Sequence, residues 1–152
     1  MWLDRGKYYP RHRDRRMEWI EKGLVESRWV EQQLGHPLIK VFNNIYAEHL
    51  ANMGKPPGAP GRSALLIAGD SAKAKAVVME LVNDMGFHAV DAGGLDESWR
   101  QQAATLVYTA NLDMAGVREV LRKATREREP EWRATPKSPE SFEGPAGVSS
   151  AF

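Results

Sequence analysis

The stretch ALLIAGDSAKAKAVVMELVNDMGFHAV, residues 64–90, decides the fold. Ala64-Leu65-Leu66-Ile67-Ala68 is a short continuous apolar run, as a buried strand requires. Gly69-Asp70-Ser71 then turns the chain, and either Asp70 or Ser71 can accept from the free N–H groups of a following helix. Ala74, Val77, Val78, Leu81, Val82 and Met85 recur at helical spacing and form one apolar stripe, read as core. Gly86 stops that helix, because glycine takes the left-handed conformation without strain. Phe87-His88-Ala89-Val90 returns as a second strand. A strand, helix and strand of this length form a crossover unit, which points to an α/β fold with a parallel sheet.

The same grammar recurs upstream. Ser27 is positioned to cap a helix carrying Trp29, Val30 and Leu34, which Gly35 and Pro37 end. Leu38-Ile39-Lys40-Val41-Phe42 reads as a strand, broken by Asn43-Asn44. A helix bearing Ile45, Leu50 and Met53 follows and ends at Gly54, and the proline- and glycine-rich residues 55–61 form a loop. Beyond Asp91, Ala92-Gly93-Gly94 is a tight turn. One helix from about Asp96 should carry Trp99, Leu106 and Val107, and another from about Asp113 should carry Val117, Val120 and Leu121. Residues 1–128 form the α/β domain in this reading. Residues 129–152, rich in Pro, Ser, Gly and Glu and without an apolar period, are expected as a disordered tail.

Composition narrows the function classes. The 152 residues suffice for one domain, and 21 Lys and Arg balance 20 Asp and Glu, so no single-sign field recruits nucleic acid. The absence of cysteine excludes a disulfide framework, a thiolate metal site and a cysteine nucleophile. His36, His49 and His88 lack metal-ligand spacing. No apolar run reaches the roughly 18 residues of a membrane span, and residues 1–5 hold no signal-peptide core, so a cytoplasmic protein without a membrane partner is expected. Arg5, Lys7, Arg11, Arg13, Arg15, Arg16 and Lys22 crowd the first stretch, but Asp4, Asp14, Glu18 and Glu21 interrupt them. A solvated face is the commoner meaning of such a run, a phosphate-binding arm the sharper one.

A doubly wound domain ordinarily opens with a strand and a G-x-G-x-x-G turn, whose backbone amides hold a diphosphate at a helix N-terminus. No segment of this sequence has that pattern. The chain begins with Trp2-Leu3-Asp4, read as a strand end. The fold class is therefore an incomplete Rossmann-like, doubly wound parallel sheet with C-terminal helices, carrying an open edge of unpaired backbone groups.

Three segments taken together resemble the C-terminal part of the NADP oxidoreductases dependent on coenzyme F420, a deazaflavin. DRGKYYPRHRD, residues 4–14, is similar to the family's DTGNYYPxRDG, and IKVFNNIYAEHL, residues 39–50, to its VKAFNTIxAxxL. The third segment runs from IAGD at residue 67 through GFHAVDAGGLDESWRQQ, ending at Gln102. The resemblance implies an NADP-linked hydride transfer to a deazaflavin or flavin partner, which depends on orientation more than on acid or base groups. It also implies that Tyr8, Tyr9 and Pro10, with Asn43, Asn44, Ile45 and Ala47, lie beside the nicotinamide end of the cofactor. Asp91, Ala92 and Gly93 match the turn that starts the C-terminal portion, followed by Ser98, Trp99 and Arg100. Three departures stand out: Lys7 replaces the family's Asn, Arg15 its Gly, and Ala103-Ala104-Thr105-Leu106 its Pro-Gly-Thr-Pro, a turn read here as converted into a helix-compatible run.

Bland readings stand beside these. Two Asn after a strand are ordinary turn residues as well as candidate partners of a carboxamide. Trp29 and Trp99 read as core anchors. Arg100 either holds a phosphate or pairs with Asp96 or Glu97, the commoner outcome. Activity is expected only when a complementing N-terminal Rossmann half is supplied. The alternative is a non-enzymatic remnant that forms a homodimer through its open sheet edge.

Overall fold

The structure, a computed structural model, describes residues 1–137. Its elements in order are β1 (Trp2–Asp4), a single π-helical turn (Pro10–Asp14), α1 (Glu18–Glu21), α2 (Glu26–Leu34), β2 (Leu38–Lys40), α3 (Ala47–Asn52), β3 (Ala64–Ile67), α4 (Ala72–Asp84), β4 (His88–Asp91), a 3₁₀ segment (Leu95–Gln101), α5 (Met114–Lys123) and a short 3₁₀ turn (Pro130–Trp132). The class is α/β, and both strand pairs are parallel. β1 pairs β2 with Trp2 opposite Leu38, and β3 pairs β4 with Ala64 opposite His88. The two pairs meet through one antiparallel bridge, in which Lys40 and Ala68 exchange backbone hydrogen bonds at 2.8 and 3.0 Å. The sheet is thus two parallel pairs joined tail to tail, rather than one uniformly parallel row.

β3 is the centre of the fold because each of its side chains finds apolar cover. Leu65 and Ile67 pack with Ile39, Val41, Val78, Val82 and Phe87 on one face, while Ala64 and Leu66 pack with Val90, Val107 and Val117 on the other. Burial on both faces explains its continuous apolar sequence. Ser71 caps α4 by accepting from the Ala74 amide at 3.2 Å, so of the two expected caps the serine acts. Asp70 accepts instead from the Leu95 amide at 2.9 Å. At the other end Gly86 adopts φ +91°, and a Cβ there would stand 2.6 Å from the Lys55 nitrogen. Glycine is needed at that turn for conformation and for the close passage of the 54–55 backbone.

Several expectations differ from what the chain does. Ser27 does not cap α2; Val25 holds that position, and the Ser27 hydroxyl donates to Asp4 Oδ2 at 2.8 Å. The strand expected over residues 38–42 stops at Lys40, since Phe42 turns to φ +61°. Ile45 precedes α3 and lies in the core rather than on that helix. Of the α4 stripe, Val78 and Val82 are buried while Val77, Leu81 and Met85 remain exposed. The continuous helix expected from Asp96 is a 3₁₀ segment that ends at Gln101, followed by turns, and Leu106 is exposed.

The Ala103-Ala104 replacement has not turned the chain into helix. Ala104 has φ +73° and Arg15 has φ +66° with ψ 175°. In both the backbone has the positive φ that glycine favours. Within the segment expected as a tail, residues 129–137 have a defined course: Pro130–Trp132 is a 3₁₀ turn and Ala134 is buried. Residues 138–152 lie outside the described residues.

Candidate functional site

The seven residues singled out from sequence divide sharply by environment. Tyr8 is buried, because α2 supplies an acceptor for its amide (Glu26 Oε2, 3.3 Å) and α1 one for its hydroxyl (Glu21 Oε1, 3.1 Å). The same hydroxyl accepts from the Met17 amide at 3.0 Å. Burial pushes the Tyr8 phenol above its ordinary value, and the neighbouring Glu21 carboxylate adds to the rise against the Met17 bond. Pro10 is buried at the start of the π turn, where a missing N–H costs nothing. Tyr9 is only half-buried. Its amide donates to Asp14 Oδ2 at 2.7 Å, its ring lies 5.9 Å from that of Trp132, and the Arg13 guanidinium stands 5.1 Å over it.

Asn43 and Asn44 are both buried, and their amides are spent inside the protein. Asn43 donates to the Gln101 carbonyl and accepts from Gln101 Nε2 at 2.8 Å. Asn44 lies along the free side of β3, donating to the Ala64 carbonyl and accepting from the Leu66 amide, each at 3.5 Å. Ile45 is core, and Ala47 is exposed at the first turn of α3. Of the seven, only the half-buried Tyr9 and the exposed Ala47 reach the surface.

The turns at residues 105–111 join the two expected segments. The Tyr9 and Tyr108 hydroxyls hydrogen-bond each other, and the next residue, Thr109, donates its amide to the Asn44 carbonyl at 3.1 Å. Burial, then the bond from Tyr9, pushes the Tyr108 phenol up. Beside them the Tyr46 and His49 rings meet edge to face at 5.3 Å, and Asn111 Nδ2 lies 2.7 Å from His49 Nδ1. Tyr46, Tyr108 and Asn111 carry no signal in the sequence, and His49 reads there only as a histidine without metal-ligand spacing. The Tyr46 and His49 positions lie within the quoted segment 39–50, but nothing in the spacing links that segment to residues 105–111.

Beneath this surface lies a buried charged group. Lys40 Nζ contacts Asp4 Oδ2 at 3.0 Å and the Gly6 carbonyl at 2.6 Å, while Asp4 Oδ1 accepts from the Gly6 amide at 2.7 Å. Burial raises the Asp4 carboxyl, but Lys40, Gly6 and Ser27 together outweigh it and hold the group below its usual range. Next to it Glu26 is pushed up to about 7 by burial, opposed by Lys40, Arg128 and the Tyr8 amide. Trp99 is not a core anchor; it is half-buried between the guanidinium groups of Arg100 (5.4 Å) and Arg126 (5.1 Å). Trp29 is likewise half-buried. Arg100 pairs with Glu97 at 2.7 Å, the commoner outcome expected for it.

A cleft of about 110 Å³ among the described residues is small beside the roughly 300–1,000 Å³ of ordinary ligand pockets, and the Asn43 and Asn44 amides are already paired within the protein. Among the described residues no group of three His, Asp or Glu side chains could hold a metal ion, and no helix is long and apolar enough to cross a membrane.

No family model matches the chain. The protein YjhV of Escherichia coli (strain K12) is 47% identical over 60 residues, which is 40% of this chain and 44% of YjhV. The crystal structure of the hypothetical protein SMa0349 from Sinorhizobium meliloti is similar with a TM-score of 0.59 at 27% identity, over 72% of this chain and 53% of that one. A crystal structure described as an F420-dependent NADP-reductase, from Arthrobacter sp. FB24, has a TM-score of 0.38 at 23% identity, over 44% of this chain and 30% of that one. The chain spans about half the length, or less, of each of these proteins. What the similarities establish is the α/β fold, shared with the Sinorhizobium protein.

Proposed function

We propose that this chain supplies one wall of the nicotinamide site in an NADP-dependent oxidoreductase that transfers hydride to a deazaflavin (coenzyme F420) or flavin partner. The observation that carries the reading is the union of two distant segments into one surface. The Tyr9–Tyr108 contact and the Thr109–Asn44 bond set Tyr9, Tyr46 and Ala47 around the same turns. NADP, when bound, supplies the hydride; the residues here orient and enclose. Tyr9 and Ala47 are the side chains of the resembled motif that face outward, and Tyr8, Pro10, Asn43, Asn44 and Ile45 act as the frame that fixes them. The diphosphate grip comes from a G-x-G-x-x-G segment, which these 152 residues do not contain. The chain alone is accordingly inactive.

NADPH fluorescence titration tests this. The isolated chain should give no saturable change at millimolar cofactor, and addition of a separately expressed G-x-G-x-x-G half from an intact relative should restore binding. Tight stoichiometric binding by the chain alone, or none with the added half, overturns the reading.

A second reading is favoured by β1. This three-residue strand is an edge, and its Trp2 and Leu3 side chains are 51% and 41% exposed. A non-enzymatic protein that dimerises by pairing β1 would cover them. Light scattering separates the two: a stable monomer at high concentration excludes the dimer.

A further inference from the structure

Beyond α5 the chain crosses from one side of the sheet to the N-terminal segments. Val117 of α5 packs with Ala64, Leu66 and Val90, whereas the residues after it lie on the segments that carry Tyr8, Tyr9 and Glu26. The Arg128 guanidinium stands 5.4 Å over the Tyr8 ring, with Nη2 3.8 Å from Glu26 Oε1. The Trp132 ring lies 5.9 Å from the Tyr9 ring, tilted by 38°. Arg133 Nε stands 4.0 Å from Glu21 Oε2, and the carbonyl of the buried Ala134 accepts from Arg16 Nη1 at 3.0 Å.

Side chains supply the hold. Among the described residues no backbone–backbone hydrogen bond joins residues 125–134 to the rest of the chain. The two in this stretch, from the Trp132 amide to the Glu129 carbonyl and from the Arg133 amide to the Pro130 carbonyl, are its own. Ala134 is the one buried residue in it. Its two ion pairs are long, and neither Arg128 Nη2 nor Glu26 Oε1 has a hydrogen-bond partner. A segment with so few buried apolar contacts opens locally at little cost.

What this segment covers is Tyr9. Rings whose centroids are 5.9 Å apart are in direct contact, so no third ring enters between them. Arg13 also stands over the Tyr9 ring, but it is fixed by Asp14 at 2.7 and 3.0 Å and by the Lys7 carbonyl. The Tyr9 hydroxyl is taken by Tyr108. Of these neighbours Trp132 is the one on a weakly held segment, and so the one that can leave.

We propose that residues 125–134 form an autoinhibitory strap, in which Trp132 takes the place on the Tyr9 ring that a planar ligand ring would fill and must swing away before one stacks there. The strap rests on the reading of Tyr9 as part of the nicotinamide wall, and adds that the resting chain closes this wall with its own residues. A ligand that binds only the open form has its apparent affinity reduced by the fraction of chains that are open.

Tetranitromethane nitration of the full chain, located by peptide mass spectrometry, reads the cover without any cofactor. Tyr46, 52% exposed, is the internal reference. Tyr9 should react more slowly than Tyr46 in the natural chain, and Trp132→Ala should speed Tyr9 about tenfold with Tyr46 unchanged. Should that variant lose its dispersed amide spectrum, Arg16→Gln, which removes the bond to the Ala134 carbonyl, should speed Tyr9 in the same direction. NADPH titration of the chain complemented by a G-x-G-x-x-G half reads the regulation: Trp132→Ala should bind about tenfold more tightly than the natural chain. Unchanged Tyr9 nitration overturns the strap. Equal or weaker NADPH binding by the variant also overturns it, because Trp132 would then belong to the wall instead of covering it. Binding by neither complemented form overturns the hydride-transfer reading, and the nitration rates alone then decide the strap.

Discussion

The Lys40 ammonium lies 3.0 Å from Asp4 Oδ2, with 1% and 6% of the two side chains exposed. These residues face each other across the register of β1 and β2, where Asp4 pairs with Lys40. An enclosed ion pair is weak evidence for net stability, yet removing one partner strands the other charge. Asp4→Ala should therefore cost about 3–5 kcal/mol in urea unfolding at neutral pH. The double variant Asp4→Ala with Lys40→Met should recover most of that loss. A single variant without measurable cost would show that the pair is solvated.

Glu26 should make stability fall with rising pH. Its carboxyl titrates at 4.5 in an unfolded chain and at about 7 in the fold, where burial outweighs the attraction of Lys40 and Arg128 and the bond from the Tyr8 amide. Between those values the unfolded chain has released a proton that the folded chain retains, so stability declines from about pH 4.5 to about pH 7 and then levels. Asp4 acts the other way, but below its ordinary 3.8, where its contribution is lost on acidification. Thermal midpoints of the natural chain should decline over the Glu26 window, and those of Glu26→Gln should stay flat there. Parallel curves would place the titration elsewhere.

Arg15→Gly and Ala104→Gly should each stabilise the fold, by about 1 kcal/mol. Arg15 is exposed and occupies a region of φ and ψ that is nearly glycine's alone, so its removal relieves strain and sacrifices little packing. Ala104→Val should destabilise, since a β-branched residue fits the left-handed conformation worst. Calorimetry of the three variants checks the order; a drop in midpoint for both glycine variants would contradict it.

Asn44→Ala should leave the Ala64 carbonyl and the Leu66 amide without their side-chain partner. The expected cost is about 1–3 kcal/mol, with faster hydrogen exchange at Leu66 and little change at Leu65. Unaltered exchange at Leu66 would assign that amide another partner.

Local signals were legible where one residue acts on its own neighbours. Ser71 and Gly86 bound α4 as expected, Gly35 ends α2 in the left-handed conformation, and Asp113 caps α5 by accepting from Gly116 at 2.8 Å. What the sequence did not show is where polar side chains are spent over long separations. Ser27 looks like a cap until Asp4, twenty-three positions away, claims its hydroxyl. Asn43 looks like a turn residue or a ligand donor until Gln101 takes its amide. Tyr9 and Tyr108 meet across ninety-nine positions, and no periodicity predicts such a pair. Ala104 departs from the helix-compatible run its sequence suggests for a related reason: alanine favours helix, but the surrounding packing overrides that weak preference.

The Asn44 carboxamide stands in for a missing neighbouring strand along β3. The tetrapeptide ALLI is wholly apolar, uncharged and free of proline. β4 covers one of its margins, and on the other the Leu112 carbonyl takes the Ala64 amide, Gln101 Nε2 donates to the Leu66 carbonyl, and the Asn44 carboxamide holds the Ala64 carbonyl and the Leu66 amide. Opening residues 43–45 would free the Ala64 carbonyl and the Leu66 amide together, two adjacent groups of the kind that recruit a foreign strand.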